Sequence, residues 1–243
     1  MTSFWSMVNQ IIREADVILI VLDARMIEET RNAELEKKVI ESKKPYFYVV
    51  TKCDLVDKEK LKAANLKSFV YISSKKYYGV KILETEIYKL NIKKKVITVG
   101  VLGYPNVGKS SLINAMKGRK SAPTSGLSGY TRGIQKVKVS KKIMMIDTPG
   151  VVPAGEKDFM KHAISGTLDF TKTQQPDVVV MELIDKYPGV IEKIYDVAIH
   201  EDSEETIEEI ALKKRILIKA GKPDTVRMAR MILTKWQKGK IKV

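Results

Sequence analysis

An octapeptide near the middle of the chain constrains the fold more than any other stretch: Gly103-Tyr104-Pro105-Asn106-Val107-Gly108-Lys109-Ser110. It follows an apolar run at 96–102 and precedes a segment with helical spacing that begins near Lys109. A strand, a glycine loop and a helix in this order form a phosphate-binding loop. In such a loop, backbone N–H groups and the positive end of the helix dipole face phosphate oxygens. The pattern predicts an α/β fold with a nucleotide site at this loop.

Two side chains of the octapeptide have specific predicted roles. Lys109 is expected to lie along the β and γ phosphates, and the Ser110 hydroxyl is expected to bind Mg²⁺. The alternative, an ordinary glycine turn, is disfavoured by the strand before the loop and the helix after it. The predicted phosphate contacts are completed by four neighbours: Asn106, Val107, Gly108 and Ser111.

Two later segments carry further predicted contacts to Mg²⁺ and the γ-phosphate. The stretch 118–133 is rich in Gly, Ser, Thr and Pro, as loops are, and its Thr131 hydroxyl is a candidate second Mg²⁺ ligand. A predicted strand ends in Asp147-Thr148-Pro149-Gly150, where Asp147 is expected to hold Mg²⁺ through water. The Gly150 N–H is expected to meet the γ-phosphate. The predicted catalytic groups are therefore those of Lys109, Thr131 and Gly150.

Two strand ends that precede the loop in sequence carry groups suited to a purine base. The strand at 46–50 leads to Thr51-Lys52-Cys53-Asp54, and the next strand leads to Ser73-Ser74-Lys75. Ligands bind at the carboxyl ends of parallel strands. A carboxylate at Asp54 can accept hydrogen bonds from both N1–H and the 2-amino group of guanine, a pair of donors that adenine lacks. The Lys52 stem can cover the base face. Each motif alone is weak evidence, since a capping aspartate or a serine turn is the better explanation when the motif stands by itself.

The order of these segments along the chain is unusual. The phosphate loop, Thr131 and Asp147 follow one another as they do in GTPases, whereas the base-reading segments come first. A parallel sheet can be cut and rejoined at its surface without moving its strand ends. This arrangement, together with Asp23-Ala24-Arg25 and the form of 102–114, resembles the circularly permuted GTPases of the YlqF/RbgA and YawG family over nearly the whole chain. The resemblance implies a Ras-like α/β sheet with permuted motif order and a small C-terminal α-helical domain.

The same resemblance implies a function. The family includes ribosome-assembly factors, so we expect GTP hydrolysis to GDP and phosphate with Mg²⁺, in a switch that acts in large ribosomal subunit assembly. In K⁺-activated relatives an Asn at the position of Asn106 coordinates the monovalent cation; the alternative is that Asn106 only shapes the loop. Val151 and Val152 stand where Ras-like proteins carry a glutamine. This predicts a slow intrinsic rate that a partner and K⁺ stimulate.

The chain departs from the family pattern at three places. The segment after Asp23-Ala24-Arg25 lacks the proline that is common there. Thr51 stands where the family usually has Asn, which removes an amide that braces the phosphate loop and the base site. We therefore expect guanine selectivity to persist through Asp54 with lower affinity. Bacterial members carry a histidine near the N-terminus that is linked to catalysis, but no histidine precedes His162 here.

Two domains are predicted, a GTPase domain at 1–168 and a helical domain at 169–243. In the second domain the patterns predict helices at 177–187, from an N-cap at Ser203 to Leu217, and from an N-cap at Asp224 to Trp236. One side of the last helix is basic, which fits either a solvated face or an RNA contact.

Net charge favours a polyanionic partner. The chain has 44 basic and 29 acidic residues, giving +15, and clustered cations gain affinity by releasing phosphate counterions. The expected partners are GTP or GDP and the large ribosomal subunit or its RNA, with no membrane and a monomeric state. A single cysteine, Cys53, fits a reducing cytoplasm. Two other functions stay open at this point: a GTPase that regulates a protein partner, and an RNA-binding protein with weak nucleotide turnover.

Overall fold

A computed structural model of the 243-residue chain describes residues 4–61, 66–118, 134–147 and 175–243. The chain divides into two compact units, 1–157 and 158–243. The predicted boundary between 168 and 169 lies outside the described residues, as do Thr131 and Gly150. None of the helices in the described part is both long and apolar enough to cross a bilayer.

The first unit is built on a six-stranded sheet. Its strands are β1 (Val17–Asp23), β2 (Tyr46–Thr51), β3 (Phe69–Tyr71), β4 (Ile97–Leu102), β5 (Gln135–Lys138) and β6 (Ile143–Asp147). They lie in the order β3-β2-β1-β4-β6-β5. Neighbouring strands pair in parallel except β5, which pairs with β6 antiparallel. The helices of this unit are α1 (Phe4–Glu14), α2 (Ala33–Glu41), α3 (Lys58–Leu61), α4 (Val80–Lys89) and α5 (Lys109–Lys117).

Strand β1 is buried along its whole length, as its apolar run of six residues predicts. Successive side chains of a strand point to opposite faces. Val17, Leu19 and Val21 accordingly belong to a core cluster with residues of α4 and α5. Ile18, Ile20 and Leu22 belong to a second cluster with residues of α1 and α2. The central strand therefore holds helices on both faces, and only its ends are left to bind a ligand.

The parallel strands end at one edge of the sheet, and the predicted site residues lie there. Asp23 at the end of β1 is in register with Thr51 at the end of β2. The phosphate loop follows β4, next to β1, and Asp147 ends β6 on the other side of β4. The Ser73 segment follows β3. The sheet therefore brings together segments from both halves of its sequence.

The described part of the second unit is helical, with α6 (Pro176–Lys186), α7 (Val190–Tyr195), α8 (Ser203–Lys213) and α9 (Thr225–Gln237). The helix predicted at 177–187 is present, and Pro176 occupies its first turn, where its missing N–H costs nothing. Helix α9 is capped as predicted, with the Asp224 carboxylate accepting a hydrogen bond from the Arg227 N–H at 2.9 Å. Its buried face consists of Met228, Ala229, Ile232, Leu233 and Trp236.

Two details of α8 differ from the sequence prediction. The N-cap is Asp202, whose carboxylate accepts from the Glu204 N–H at 2.8 Å, rather than Ser203. Ser203 instead donates its hydroxyl to the Asp185 carboxylate on α6. The helix ends at Lys213 rather than at Leu217, because the chain turns back into a short hairpin closed by an Ile218 N–H bond to the Lys222 carbonyl at 2.9 Å.

Candidate functional site

The loop after β4 needs glycine at two places. Gly103 has φ +146°, and a Cβ there would lie 2.5 Å from the Val21 carbonyl oxygen of β1. Gly108 has φ +106° and is the residue before the first turn of α5. Both backbone conformations are rare for residues with a side chain. The loop therefore passes close to β1 and delivers the N–H groups of the α5 N-terminus to the edge of the sheet, where they can bind phosphate.

Lys109 is buried at the start of α5. Its ammonium donates to the carbonyl oxygens of Gly103 and Tyr104, at 3.0 and 2.6 Å. Burial lowers the pKa of Lys109 to about 8, although the nearby Asp147 carboxylate opposes that shift. A cation held against the loop in this way can compensate the charge of phosphate oxygens.

Ser110 and Asp147 form a pair of oxygen donors suited to Mg²⁺. The Ser110 hydroxyl donates to the Asp147 carboxylate at 3.0 Å, which joins α5 to the end of β6. Magnesium prefers hard oxygen ligands, and near phosphates it commonly takes one or two from protein and the rest from substrate and water. Ser110 and Asp147 therefore fit the predicted metal role. Ser111, the next residue of α5, is exposed in its first turn.

Asp54 lies in a short 3₁₀ turn, Cys53–Leu55, directly after β2. A hydrogen bond from the Cys53 N–H to the Ile72 carbonyl, at 3.3 Å, joins this turn to the end of β3. Asp54 is half-buried, and none of the described cations forms an ion pair with it. Its carboxylate can therefore accept two hydrogen bonds from a base.

The Ser73-Ser74-Lys75 segment forms a closed turn beside Asp54. Ser73 and Tyr78 exchange two backbone hydrogen bonds, each 3.1 Å long. The Ser74 hydroxyl is buried and has no hydrogen-bond partner in the described part of the chain, whereas Lys75 is exposed. A buried hydroxyl without a partner is costly, which is consistent with a site that a polar ligand group completes.

Lys52 connects the predicted base side of the site to the phosphate loop. Its backbone is left-handed, with φ 56°. Its ammonium donates to the Asp23 carboxylate and to the Asn106 carbonyl oxygen, at 2.7 Å each. The prediction from sequence concerned only the Lys52 stem; the two polar contacts of its ammonium add a role in fixing the loop.

Asp23 and Arg25 belong to the site, although sequence reasoning gave them no role of their own. The Arg25 guanidinium donates to both Asp23 carboxylate oxygens, at 3.1 and 2.8 Å, and both side chains are only 2% exposed. Burial alone would raise the pKa of Asp23, but the charges of Lys52 and Arg25 prevail and hold it well below its usual range. The sequence feature that could have identified these two residues is a pair of opposite charges, two residues apart, at the end of a buried strand.

Thr51 braces the phosphate loop with its hydroxyl. The side chain is buried, and its Oγ1 contacts the Leu22 carbonyl oxygen at 2.9 Å and also the Val107 carbonyl oxygen. A Cβ on Gly108 would lie 3.2 Å from the same Oγ1. The contact between this position and the loop is therefore retained without the asparagine amide. Whether guanine affinity is lower stays a prediction.

Cys53 lies between Thr51 and Asp54 and is buried. Burial, and after it the Asp54 carboxylate, raise the pKa of the Cys53 thiol to about 11.

Because the thiolate is the reactive form, we expect native protein at pH 8 to be alkylated at Cys53 by iodoacetamide ~100-fold more slowly than the unfolded chain. Mass spectrometry of timed samples measures both rates at this single cysteine. Equal rates in native and unfolded protein would contradict the prediction.

Two family models match the chain, each over more than half of its length. The model described as "50S ribosome-binding GTPase" matches residues 98–222. The model described as "RsgA GTPase" matches residues 5–155. The first match includes the phosphate loop and Asp147, and the second also includes the predicted base-reading segments before them.

Similar curated proteins cover almost all of the chain. An uncharacterised GTP-binding protein of Methanocaldococcus jannaschii is 41% identical over an alignment of 244 positions, which covers 96% of this chain and 65% of that protein. Nucleolar GTP-binding protein 2 of Neurospora crassa is 31% identical over 98% of this chain and 40% of its own length. The protein of the same name from Saccharomyces cerevisiae is 30% identical over 98% and 52%. The chain thus spans 40 to 65% of the length of these relatives.

Two solved structures share the fold. GDP-bound YlqF has a TM-score of 0.70 at 22% identity and covers 97% of this chain and 96% of that one. GNP-bound YlqF from T. maritima has a TM-score of 0.66 at 21% identity, covering 97% and 94%. The strand order, the position of the phosphate loop after β4 and the family matches agree, and they confirm the predicted fold. The chain therefore belongs to the circularly permuted GTPases of the YlqF type.

Proposed function

We propose that the chain hydrolyses GTP to GDP and phosphate and acts as a nucleotide-dependent switch in assembly of the large ribosomal subunit. The observation that carries the proposal is the convergence of the phosphate loop, Asp147 and Asp54 on one edge of the sheet. Phosphate, metal and guanine contacts are then supplied together by strand ends that lie on both sides of the phosphate loop in sequence.

Each part of the site has a chemical task in this reaction. Lys109 and the loop N–H groups stabilise negative charge on the transferred phosphoryl group. Ser110 and Asp147 hold Mg²⁺, which neutralises the β and γ oxygens when bound. Asp54 selects guanine. A side chain that orients the attacking water is not supplied by Val151 or Val152, so a slow intrinsic rate and a stimulating partner are part of the proposal.

The ribosomal part of the proposal has three supports. The matching family model is described as ribosome-binding, two of the relatives are named as nucleolar proteins, and the chain carries a net charge of +15. The outer face of α9 exposes Arg227 and Arg230, and Lys238 directly after the helix is exposed as well, which suits phosphate contacts. Because β6 leads onward along the chain to the helical unit, nucleotide-dependent changes after Asp147 have a covalent route to it.

Co-sedimentation with ribosomal subunits tests the partner. Protein is mixed with purified subunits in K⁺ buffer with either a non-hydrolysable GTP analogue or GDP. We expect binding to the large subunit in the GTP-like state only, weakening steeply as salt is raised. Binding of equal strength with the GTP analogue and with GDP, or no binding to either subunit, would overturn the ribosomal proposal. A partner bound with little salt dependence would favour regulation of a protein instead.

Lys109→Ala tests the hydrolytic part. Removing a preorganised charge-stabilising donor typically slows the chemical step ~100- to 1000-fold, so we expect a decrease of that size in single-turnover GTP hydrolysis at saturating nucleotide. Lys117→Ala is the matched control, since Lys117 is an exposed lysine at the far end of the same helix. Similar rates for the Lys109 variant and the wild type would contradict the assigned role.

Asn106 carries the proposal that K⁺ stimulates the reaction. It lies in the phosphate loop with φ 59°, and its carbonyl oxygen accepts from Lys52 at 2.7 Å. A monovalent cation beside the loop would add positive charge to offset the negative charge that develops on the phosphates. We expect faster hydrolysis in KCl than in NaCl at equal ionic strength, and an Asn106→Ala variant that does not distinguish the salts. Equal wild-type rates in the two salts would exclude the cation role.

A further inference from the structure

The turn that follows Ser73 presents aromatic side chains to solvent. Tyr77 and Tyr78 are 40% and 59% exposed, although the turn that holds them is closed by the two Ser73–Tyr78 backbone bonds. A third bond, from the Lys76 N–H to the Ser73 hydroxyl at 3.1 Å, fixes its middle. An exposed pair of tyrosines on a short, internally bonded turn is a preorganised surface rather than a part of the core.

Cations flank these tyrosines on both sides. Lys76 precedes them, and Lys81 follows in the first turn of α4; both lysines are exposed. The apolar side chain of Ile82, next to Lys81, is exposed as well. Neither lysine forms an ion pair with any of the described acidic residues. We call these five residues the tyrosine–lysine patch: Lys76, Tyr77, Tyr78, Lys81 and Ile82.

The patch places aromatic rings between lysines that have no acidic partner among the described residues. This combination suits a single-stranded nucleic acid. Unpaired bases stack on tyrosine rings, and lysines bind the backbone phosphates beside them. A duplex offers only stacked bases, so it cannot use the rings. An acidic protein could pair with the lysines, but it would not need two exposed rings, and the net charge of +15 favours a polyanion.

We propose that the tyrosine–lysine patch is a docking site for single-stranded RNA that is coupled to the guanine site. The coupling follows from the turn itself, since Ser73 and Tyr78 are bonded to each other and the turn also holds the buried Ser74 hydroxyl that is predicted to lie beside the base. RNA that packs on Tyr77 and Tyr78 holds the turn closed and so favours the arrangement that binds the base. The proposal extends the proposed function to a partner contact on the first unit, and it holds or fails without reference to the ribosome.

Fluorescence anisotropy tests the docking site. The probe is a fluorescein-labelled single-stranded RNA of about 12 nucleotides, with the corresponding duplex as comparison. We expect Tyr77→Ala/Tyr78→Ala to weaken binding of the single strand by about 5-fold or more, the factor that corresponds to removing one stacked base. Duplex binding should change little. Equal single-strand affinity in the variant and the wild type would overturn the proposal, as would no RNA binding by the wild type.

A second pair of variants separates charge from stacking. Lys76→Ala/Lys81→Ala should reduce the slope of log affinity against log salt by about 0.7 for each phosphate that the protein no longer neutralises. Lys141→Ala/Lys142→Ala removes the same charge from an exposed turn between β5 and β6 and should leave the slope unchanged. Tyr88→Ala, at an exposed tyrosine late in α4, is the aromatic control. Equal effects of patch and control variants would show that only net charge matters and would overturn the proposal.

Linkage tests the coupling. If RNA and nucleotide favour the same closed turn, RNA must tighten nucleotide binding by the factor by which nucleotide tightens RNA binding. Titrations of a fluorescent GDP with and without RNA, and of RNA with and without GDP, measure the two factors. The tyrosine variant should bind GDP alone like the wild type, which excludes a collapsed base site. If neither ligand changes the affinity for the other, so that both factors equal one, the coupling is overturned.

Discussion

An Asp54→Asn variant is expected to exchange guanine specificity for xanthine specificity. The carboxylate accepts from two guanine donors, whereas an amide offers one acceptor and one donor, so one pairing is kept and the other becomes a clash of two donors. Xanthine carries an oxygen in place of the 2-amino group and restores the match. Each hydrogen bond to a charged group contributes ~1.5–3 kcal/mol. We therefore expect GTP affinity to fall by about two orders of magnitude or more, with a gain for XTP.

Competition of GTP and XTP against a fluorescent nucleotide measures this exchange. Asp57→Asn makes the same chemical change at an exposed position three residues further along the chain, and it should leave the preference unchanged. If the Asp54 variant still prefers GTP as strongly as the wild type, Asp54 does not contact the base. The ratio of the two affinities is the decisive quantity, since general destabilisation of the fold would weaken both nucleotides alike.

Replacing Asp23 with Ala is expected to destabilise the first unit strongly. Asp23 binds Arg25 and Lys52 in a buried cluster, and its removal leaves the Arg25 guanidinium buried with its main partner gone. Breaking a buried ion pair on one side typically costs ~3–5 kcal/mol. Chemical denaturation should show a decrease of that size in the free energy of unfolding. Nucleotide affinity should fall as well, because Lys52 loses the carboxylate that helps to hold its ammonium at the Asn106 carbonyl.

The matched comparison is Glu28→Ala, which removes an exposed partner of Arg31 at 3.4 Å. Exposed pairs contribute at most ~1 kcal/mol, so this variant should be close to wild type. The pH dependence adds a second check on Asp23. Since its folded pKa is lowered, its stabilisation is complete above the unfolded pKa of about 4 and is lost only in stronger acid. The difference between wild type and the Asp23 variant should therefore be constant from about pH 5 to about pH 8.

The strands and the phosphate loop could be predicted because their signals are local. Six apolar residues at 17–22 predict a doubly covered strand, and Gly103 and Gly108 bound a loop of fixed length. The circular permutation could be inferred since each motif stays at the end of its strand. The Asp23–Arg25–Lys52 cluster could not be inferred in full, because β1 and β2 must first be placed side by side before Lys52 is seen to reach Asp23.

Thr51 and Ser203 show the same limit in another way. Thr51 stands where the family usually has Asn, so the sequence predicted that the contact between this position and the phosphate loop is lost. The Thr51 hydroxyl nevertheless contacts the Val107 carbonyl, because the loop passes close to β2. Ser203 has the composition of an N-cap, but the residue before it caps the helix and Ser203 bonds to Asp185, eighteen positions away. Small polar side chains have several partners within reach, and tertiary contacts decide among them.

The order of the strands along the chain also determines when the nucleotide site is completed during synthesis. Strands β1 to β3, which bring Asp54 and the Ser73 turn, leave the ribosome first, and domains form from the N-terminal side as the chain lengthens. The phosphate loop follows, and Asp147 comes last. We therefore expect a growing chain to contain the predicted base-reading residues before it has any means of retaining a triphosphate. We expect nucleotide to bind stably only once β6 has joined the sheet, so that bound GTP would mark a nearly finished first unit.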